Sequence, residues 1–205
     1  MKSEDPRDDV ALLEAWRVGD ERAGAVLFDR YFDAMHRFFR NKVDRGVEDL
    51  VQQTFLACVR NKESFRAEAS FRTYLYTIAR SRLYDALRKK RRLGGETDLA
   101  SRTLAELRTS PSTRLVKQEE QRMLHDALET LPLELHLAIE LFYFEELPAR
   151  EVALALGIPE GTVRSRLRRA LDKLRNQLAT GGGPAARRTL AGLDALASRR
   201  DSEPG

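Results

Sequence analysis

The sequence predicts an all-α protein made of two small helical domains joined by a flexible linker. Three observations point there. Apolar residues recur at intervals of three and four and nowhere alternate as a half-buried strand would. The 15 aromatic residues are segregated: 12 lie between Trp16 and Tyr84, three stand together at Phe142, Tyr143 and Phe144, and none follows. Between the two groups, residues 94–118 hold no aromatic residue, seven Ser or Thr, the pair Gly94-Gly95 and Pro111. That composition interrupts helices and offers little to bury. A chain of 205 residues, 42% hydrophobic and 33% charged, can build two such cores beneath a heavily charged surface.

Residues 1–9 form an acidic arm with Glu4, Asp5, Asp8 and Asp9. Residues 10–93 read as a bundle of about four helices. In it Leu27, Tyr31, Ala34, Met35 and Phe38 share one face; Leu50, Val51, Thr54, Phe55, Cys58 and Val59 share another; and Phe71, Leu75, Ile78, Ala79, Leu83 and Ala86 lead into a basic end. The linker, 94–118, has room for one helical turn near 104–107. The second domain, 119–178, opens with Leu124, Leu128 and Leu131, restarts after Pro132 with Leu135, Ile139 and Phe142, and continues as two short helices separated by a turn. The run Thr180-Gly-Gly-Gly-Pro184 closes it. Residues 179–205 are then a C-terminal extension in which Leu190, Leu193 and Leu196 support only a short amphipathic helix, mobile on its own.

The clearest chemical signal lies in 151–169, where a short apolar helix, Gly157 and a basic helix follow one another as a helix-turn-helix. Val152, Ala153 and Leu156 are placed to pack on Val163 and Leu167. From 160 to 175 there are six cations (Arg164, Arg166, Arg168, Arg169, Lys173, Arg175) against Glu160 and Asp172, as suits a helix laid in the major groove. Arg164, Ser165 and Arg168 share the outer side and are the base-reading candidates. Thr162 and the backbone at Gly161 suit phosphate, and Arg169 suits either role.

A second basic concentration, 80–92, carries seven cations and one acid, Asp85, at the end of an aromatic-rich helix. Phe65, Phe71, Tyr74, Tyr76 and Tyr84 bracket the loop 61–69. Aromatic rings beside cations suit unstacked bases, although helical spacing makes Phe71 and Tyr76 core residues and leaves Phe65 and Tyr84 open to either reading. A third feature is Asp49, Gln52 and Gln53, aligned at i, i+3 and i+4 opposite the apolar side of their helix; uncharged amides there suit a contact surface as readily as an ordinary polar face.

A net charge of only +4 means that any polyanion is met by these clusters and not by bulk charge. Lone Cys58 forms no internal disulfide and reads as core. His36, His125 and His136 fall on predicted helices as surface or boundary residues. No metal spacing, phosphate loop or nucleophile motif appears, so no catalytic residue, metal or cofactor is expected. Neither a secretory start nor a membrane-length apolar run is present, and the expectation is a soluble cytoplasmic protein without membrane insertion.

Taken in order, the segments Leu27-Phe-Asp-Arg-Tyr31, Glu48-Asp-Leu-Val-Gln-Gln-Thr-Phe55, Ser64-Phe-Arg66, Phe71-Arg-Thr-Tyr-Leu-Tyr-Thr-Ile-Ala-Arg80, Leu131-Pro132 and Gly161-Thr-Val-Arg-Ser-Arg-Leu167 resemble bacterial sigma factors of the extracytoplasmic-function class. The resemblance covers roughly residues 10–178. It implies a sigma region 2 bundle over 10–93 that binds core RNA polymerase and recognises and melts the minus-ten element. It also implies a region 4 helix-turn-helix over 119–178 that reads the minus-thirty-five element. Asp49, Gln52, Gln53 and Phe55 would contact the clamp coiled coil of the largest polymerase subunit, and the second domain would sit on the flap of the other large subunit. Phe65, Arg66, Arg72, Arg80, Ser81, Tyr84, Asp85 and Arg88 would open the minus-ten element and hold an extruded base. The linker would thread toward the RNA exit path, and an anti-sigma partner is implied. Ser81 stands where relatives often have Asn, and Pro148 and Pro159 stand where the family usually has capping Ser or Thr. The extension beyond Thr180 exceeds the usual family length and is expected to modulate polymerase or regulator binding. The alternative reading is a one-component regulator that binds palindromic duplex DNA as a dimer, with the first half as sensor or dimerisation module.

Overall fold

The computed structural model describes residues 5–61, 69–91, 99, 102–103, 107, 119–181 and 183–201. The chain divides into two compact units, 1–95 and 96–205. Among the described residues there is no strand, only an isolated bridge between Thr103 and Pro132.

Among the described residues four helices form the first unit: α1 (Asp9–Arg17), α2 (Glu21–Arg40), α3 (Val47–Arg60) and α4 (Phe71–Arg91). Each begins where its sequence supplies a start. The Asp8 carboxylate accepts the Ala11 N–H at 2.8 Å, and Asp20 accepts those of Arg22 and Ala23, so both satisfy amides left open by a first helical turn. Gly46 enters α3 in the left-handed conformation, φ 76°, with Glu48 and Asp49 favourably placed at the positive end of the helix dipole. Ser70 leads into α4: its Oγ accepts the Thr73 N–H at 3.2 Å and its carbonyl accepts the Tyr74 N–H.

An aromatic chain binds the unit together. Trp16 meets Phe28 edge-on at 5.2 Å, Phe28 lies 4.6 Å from Phe55, Tyr31 5.7 Å from Phe71, and Phe38 5.6 Å from Tyr76. These contacts join all four helices, each worth about 0.5–1.5 kcal/mol beyond area burial. The approach of α1 to α2 is so close that a Cβ on Gly24 would lie 2.5 Å from Trp16 Nε1. Fully buried Lys42 closes the end of α2, its ammonium donating to the Phe38 carbonyl at 2.7 Å and lying 4.0 Å from the Phe38 ring centre. The described part of the acidic arm is tied down. Arg30 bonds Asp9 at 2.5 Å and the carbonyls of Asp5 and Arg7, Tyr31 bonds Asp9, and Arg7 pairs with Asp5 and Asp20.

In the second unit α5 (Glu119–Glu129) is followed by α6 (Leu133–Ile139), which runs on as a π-helical turn, Glu140–Phe144. Then come α7 (Ala149–Leu156), α8 (Glu160–Gly181) and α9 (Gly183–Asp201). The i+5 bond from the Glu145 N–H to the Glu140 carbonyl, 2.9 Å, marks the wider turn, and Glu146 leaves it at φ 51°. Most of 94–118 lies outside the described residues. Of those described, Leu99 and Leu107 are buried, and the Arg102 carbonyl accepts the Leu133 N–H at 2.7 Å.

Two expectations are corrected. The extension is no short, loose helix: α9 has 19 residues and packs on α5, α8 and the π turn, burying Ala185, Ala186, Thr189, Leu193 and Ala197. Its stripe of leucines is narrow, but small residues complete a face that a count of large apolar side chains overlooks. His136 is buried, with Nδ1 3.1 Å from the Leu128 carbonyl and Nε2 3.9 Å from Glu140. His36 is half-buried, stacked on Phe32 and 3.7 Å from Glu48.

Candidate nucleic-acid interface

The helix-turn-helix rests on one backbone device. Gly157 takes φ 61°, ψ 40°; its N–H donates to the Leu154 carbonyl at 3.2 Å while the Ile158 N–H reaches back to Ala153 at 3.1 Å, the paired bonds of a Schellman motif. The chain then turns through Pro159, whose carbonyl accepts the N–H groups of Thr162 and Val163. The Pro159 carbonyl thus takes up two amides of the first turn of α8 at the position where a Ser or Thr side chain would otherwise cap it. Pro148 does the same for α7 with φ −62°, its carbonyl accepting the Val152 N–H. Val152, Ala153, Leu156, Val163 and Leu167 are all buried, and Val163, Ala170 and Leu174 lose all exposure. A buried Val or Leu contributes about 1.5–3 kcal/mol, so the rotation of α8 is held firmly.

That rotation sorts the six cations. Arg164, Arg168, Arg169 and Lys173 point to solvent. Arg166 does not: it bonds Glu134 at 2.6 Å across to α6, with both side chains mostly covered. Arg175 bonds Asp194 of α9 at 2.8 Å and lies 3.5 Å from Asp172; the Asp194 hydrogen bond raises its pKa above the usual arginine value. Thr162 and Ser165 are half-buried, the Ser165 hydroxyl donating to the Thr162 carbonyl at 2.9 Å. Arg164 is held by Glu160 at 2.6 Å, one turn back on the same face. The outward side of α8 is thus an arginine face with no aromatic residue. Gly161 beside it has open space where a Cβ would stand.

The outward side of α4 is chemically different. Ser81, Asp85 and Arg88 are exposed one turn apart, and half-buried Arg80 lies 5.2 Å over the ring of half-buried Tyr84. Arg72 is half-buried near the start of the helix. Phe71 and Tyr76 are core residues, as their spacing implied. Phe65 and Arg66 lie outside the described residues. Tyr74 has its pKa raised by burial and by the neighbouring Cys58, and burial pushes the Cys58 thiol up to about 12, which keeps it protonated and inert at neutral pH.

On α3, Asp49, Gln52 and Gln53 are exposed side by side. Phe55, expected with them, is not: it is only 7% exposed, its ring packed on Phe28. It supports the ridge from behind. Leu56, to which the sequence reading gave no role, extends that ridge at 45% exposure, and so does Val59, expected on the buried face of the helix but 40% exposed. Their spacing from Gln52 was readable, but a helical pattern alone assigns apolar side chains to the core. On α2, Phe32 is also exposed. Among the described residues no helix is long and apolar enough to cross a membrane.

Comparison with known proteins places both units in one family. Residues 27–93 match the family model for Sigma-70 region 2, and residues 121–174 match that for Sigma-70, region 4. The ECF RNA polymerase sigma-E factor of Haemophilus influenzae is 31% identical over 179 residues, covering 83% of this chain and 95% of that protein. The sigma-E factor of Escherichia coli K12 is 29% identical over 180 residues, covering 83% and 94%. Among solved structures, CnrH in complex with the cytosolic domain of CnrY superposes with a TM-score of 0.61 at 22% identity, over 85% of this chain and 99% of that one. The Bartonella quintana sigma factor RpoE in complex with the anti-sigma factor NepR gives 0.57 at 23% identity, over 72% and 91%. Two helical units that match successive regions of one factor, with α8 offering an arginine face and α4 a mixed aromatic and polar one, identify the chain as a member of the sigma-70 family, an alternative sigma factor of the extracytoplasmic-function class.

Proposed function

We propose that the chain binds core RNA polymerase in the cytoplasm and directs it to a restricted set of promoters. As a sigma factor it adds specificity and no catalysis of its own. The observation that carries this reading is the pairing of two unlike outward faces, on α4 and α8, with matches to two successive regions of a single factor. On this reading Arg164, Ser165 and Arg168 read base edges of the minus-thirty-five element in the major groove, and Thr162 and Arg169 hold its phosphates. Phe65, Arg66, Arg72, Arg80, Ser81, Tyr84, Asp85 and Arg88 open the minus-ten element, and Tyr84 offers a stacking surface to an extruded base. Asp49, Gln52 and Gln53, with Leu56 and Val59 beside them, grip the clamp coiled coil of the largest polymerase subunit; the second unit sits on the flap of the other. An apolar pair rimmed by amides is the composition of a protein contact and not of a DNA contact. One solved relative, the Bartonella quintana sigma factor RpoE, is in complex with the anti-sigma factor NepR, and a similar partner is expected here. A dimeric one-component regulator finds no support among the relatives.

The test is run-off transcription with purified core polymerase on a genomic library, alongside pull-down of core polymerase by Asp49→Ala/Gln52→Ala. Starts at a discrete promoter set are expected, with capture by the double variant reduced about tenfold, the effect of 1.4 kcal/mol. Initiation no more selective than that of core polymerase alone would overturn the proposal.

A further inference from the structure

The outward face of α8 carries an acid at its head. Glu160 is the first residue of the helix, and Arg164 stands one turn on, its Nη2 donating to Glu160 Oε1 at 2.6 Å. Val163 and Leu167 are buried on the opposite side, so the pair is turned to solvent, with the Arg164 side chain 70% exposed and that of Glu160 42%. The other cations of the helix differ. Arg168 and Arg169 bond no acid among the described residues, and Arg166 and Arg175 are held by Glu134 and Asp194, acids of other helices.

An acid suits the positive end of a helix dipole, and an exposed pair one turn apart adds a little stability more. On a helix that meets DNA the same acid is unfavourable, because the helix end that attracts phosphate now carries a carboxylate that repels it. A carboxylate only accepts hydrogen bonds. In the major groove it is therefore matched by the amino groups at cytosine N4 and adenine N6, and opposed by guanine O6 and N7 and by thymine O4. Its bond to Arg164 uses one N–H of the planar guanidinium and leaves enough of the others for the O6 and N7 of a guanine. Glu160 thus limits both where the Arg164 fork can reach and which base edges can lie beside it.

We propose that Glu160 is a specificity-determining residue of α8, which holds the Arg164 guanidinium in register for a guanine and accepts from the N4 amino group of a cytosine in the adjoining base pair. It acts partly as a positioning residue, through Arg164, and partly by rejecting edges that offer only acceptors. This rests on the sigma-factor reading above and adds to it a residue that selects against wrong sequences at some loss of sequence-independent affinity.

Run-off transcription by purified core polymerase with the full chain tests it, on a promoter from the genomic library and on templates in which each upstream base pair is replaced in turn. The quantity read is the ratio of output on the original template to that on each altered one. Arg164→Ala should flatten this ratio about tenfold at one base pair. Glu160→Ala should flatten it about fivefold at that pair and at its neighbour. Glu160→Gln, which still accepts from Arg164 but also donates, should flatten only the neighbour. The double variant Glu160→Ala/Arg164→Ala should match Arg164→Ala at the Arg164 pair, because a residue that acts through Arg164 then has nothing to act on. A Glu160→Ala variant that left the ratio at the Arg164 pair unmoved, or changed output by one factor on every template, would make Glu160 a helix-start acid only and overturn the proposal. If Arg164→Ala itself moved no ratio, the base-reading role of α8 would fall and the proposal with it.

Discussion

Helices α4 and α8 are nearly equal in length, 21 and 22 residues, and both are rich in cations, yet they present opposite chemistry to their surroundings. On α8 packing selects among the arginines. Arg166 and Arg175 are engaged by Glu134 and Asp194, which leaves Arg164, Arg168 and Arg169 as a compact outward group. On α4 the outward stripe alternates a hydroxyl, an acid and a cation, with an Arg over a Tyr ring alongside. A ring and an acid gain nothing from a closed phosphate backbone but suit unpaired bases, whereas forked guanidinium groups suit the edges of intact pairs. The lesson is that total charge does not decide what a helix binds. The identity of the groups left outside after packing does.

The strongest way to break this comparison is Arg164→Ala/Arg168→Ala. Loss of two base contacts of about 1–3 kcal/mol each should lower run-off transcription about a hundredfold or more. Core polymerase capture should be unchanged, and a template already unpaired over the minus-ten element should not restore output. Equal restoration by that template would show that α8 does not read duplex DNA. Tyr84→Ala should behave in the opposite way. Output falls about tenfold, within the range for one lost stacked base, and returns on the unpaired template.

Stability sharpens the contrast between two glycines. Gly24→Ala drives a Cβ into the Trp16 ring and should destabilise the first unit by about 1–3 kcal/mol in denaturant titration. Gly161→Ala, with open space at its Cβ, should cost the second unit nothing comparable. If both behaved alike, the close approach of α1 and α2 would be wrong.

The smallest expected effect is an acid one. Asp5 is lowered from 3.8 to about 2, chiefly by its hydrogen bond from the Arg7 side chain, and Asp20 is lowered chiefly by the Ala23 N–H. A carboxylate lowered by folding adds stability above its unfolded pKa and loses it as pH falls through the folded value. The first unit should therefore weaken slightly between pH 3.8 and about 2, and Asp5→Asn should flatten that slope. A slope unchanged in the variant would detach Asp5 from the clasp around Arg7 and Arg30.

Much of this was legible beforehand. The helical period, the glycine turn at Gly157 and the segregated aromatics predict two helical units and place the basic helix after the turn. Apolar spacing already sets Phe55 on the inward side of α3, where Phe28 covers it; the motif position that implies a polymerase contact says nothing about which way the ring points. Val59 is the converse case: its spacing places it on the buried face of α3, but no neighbour covers it, and Leu56 beside it is exposed as well. The length of α9 was missed because alanine and threonine carry no clear periodic signal, although they pack well against a flat partner.

Helical spacing up to α8, the glycine turn at Gly157 and the order of the two units could be read from the chain alone, because caps, glycine turns and apolar spacing act over a few residues; the extent of α9 could not. Only the tertiary structure decided which arginines of α8 remain outward, that Phe55 faces Phe28, and that α9 packs on α5, α8 and the π turn. Those outcomes depend on partners far away in sequence, Glu134 for Arg166 and Asp194 for Arg175, whose approach no local pattern encodes.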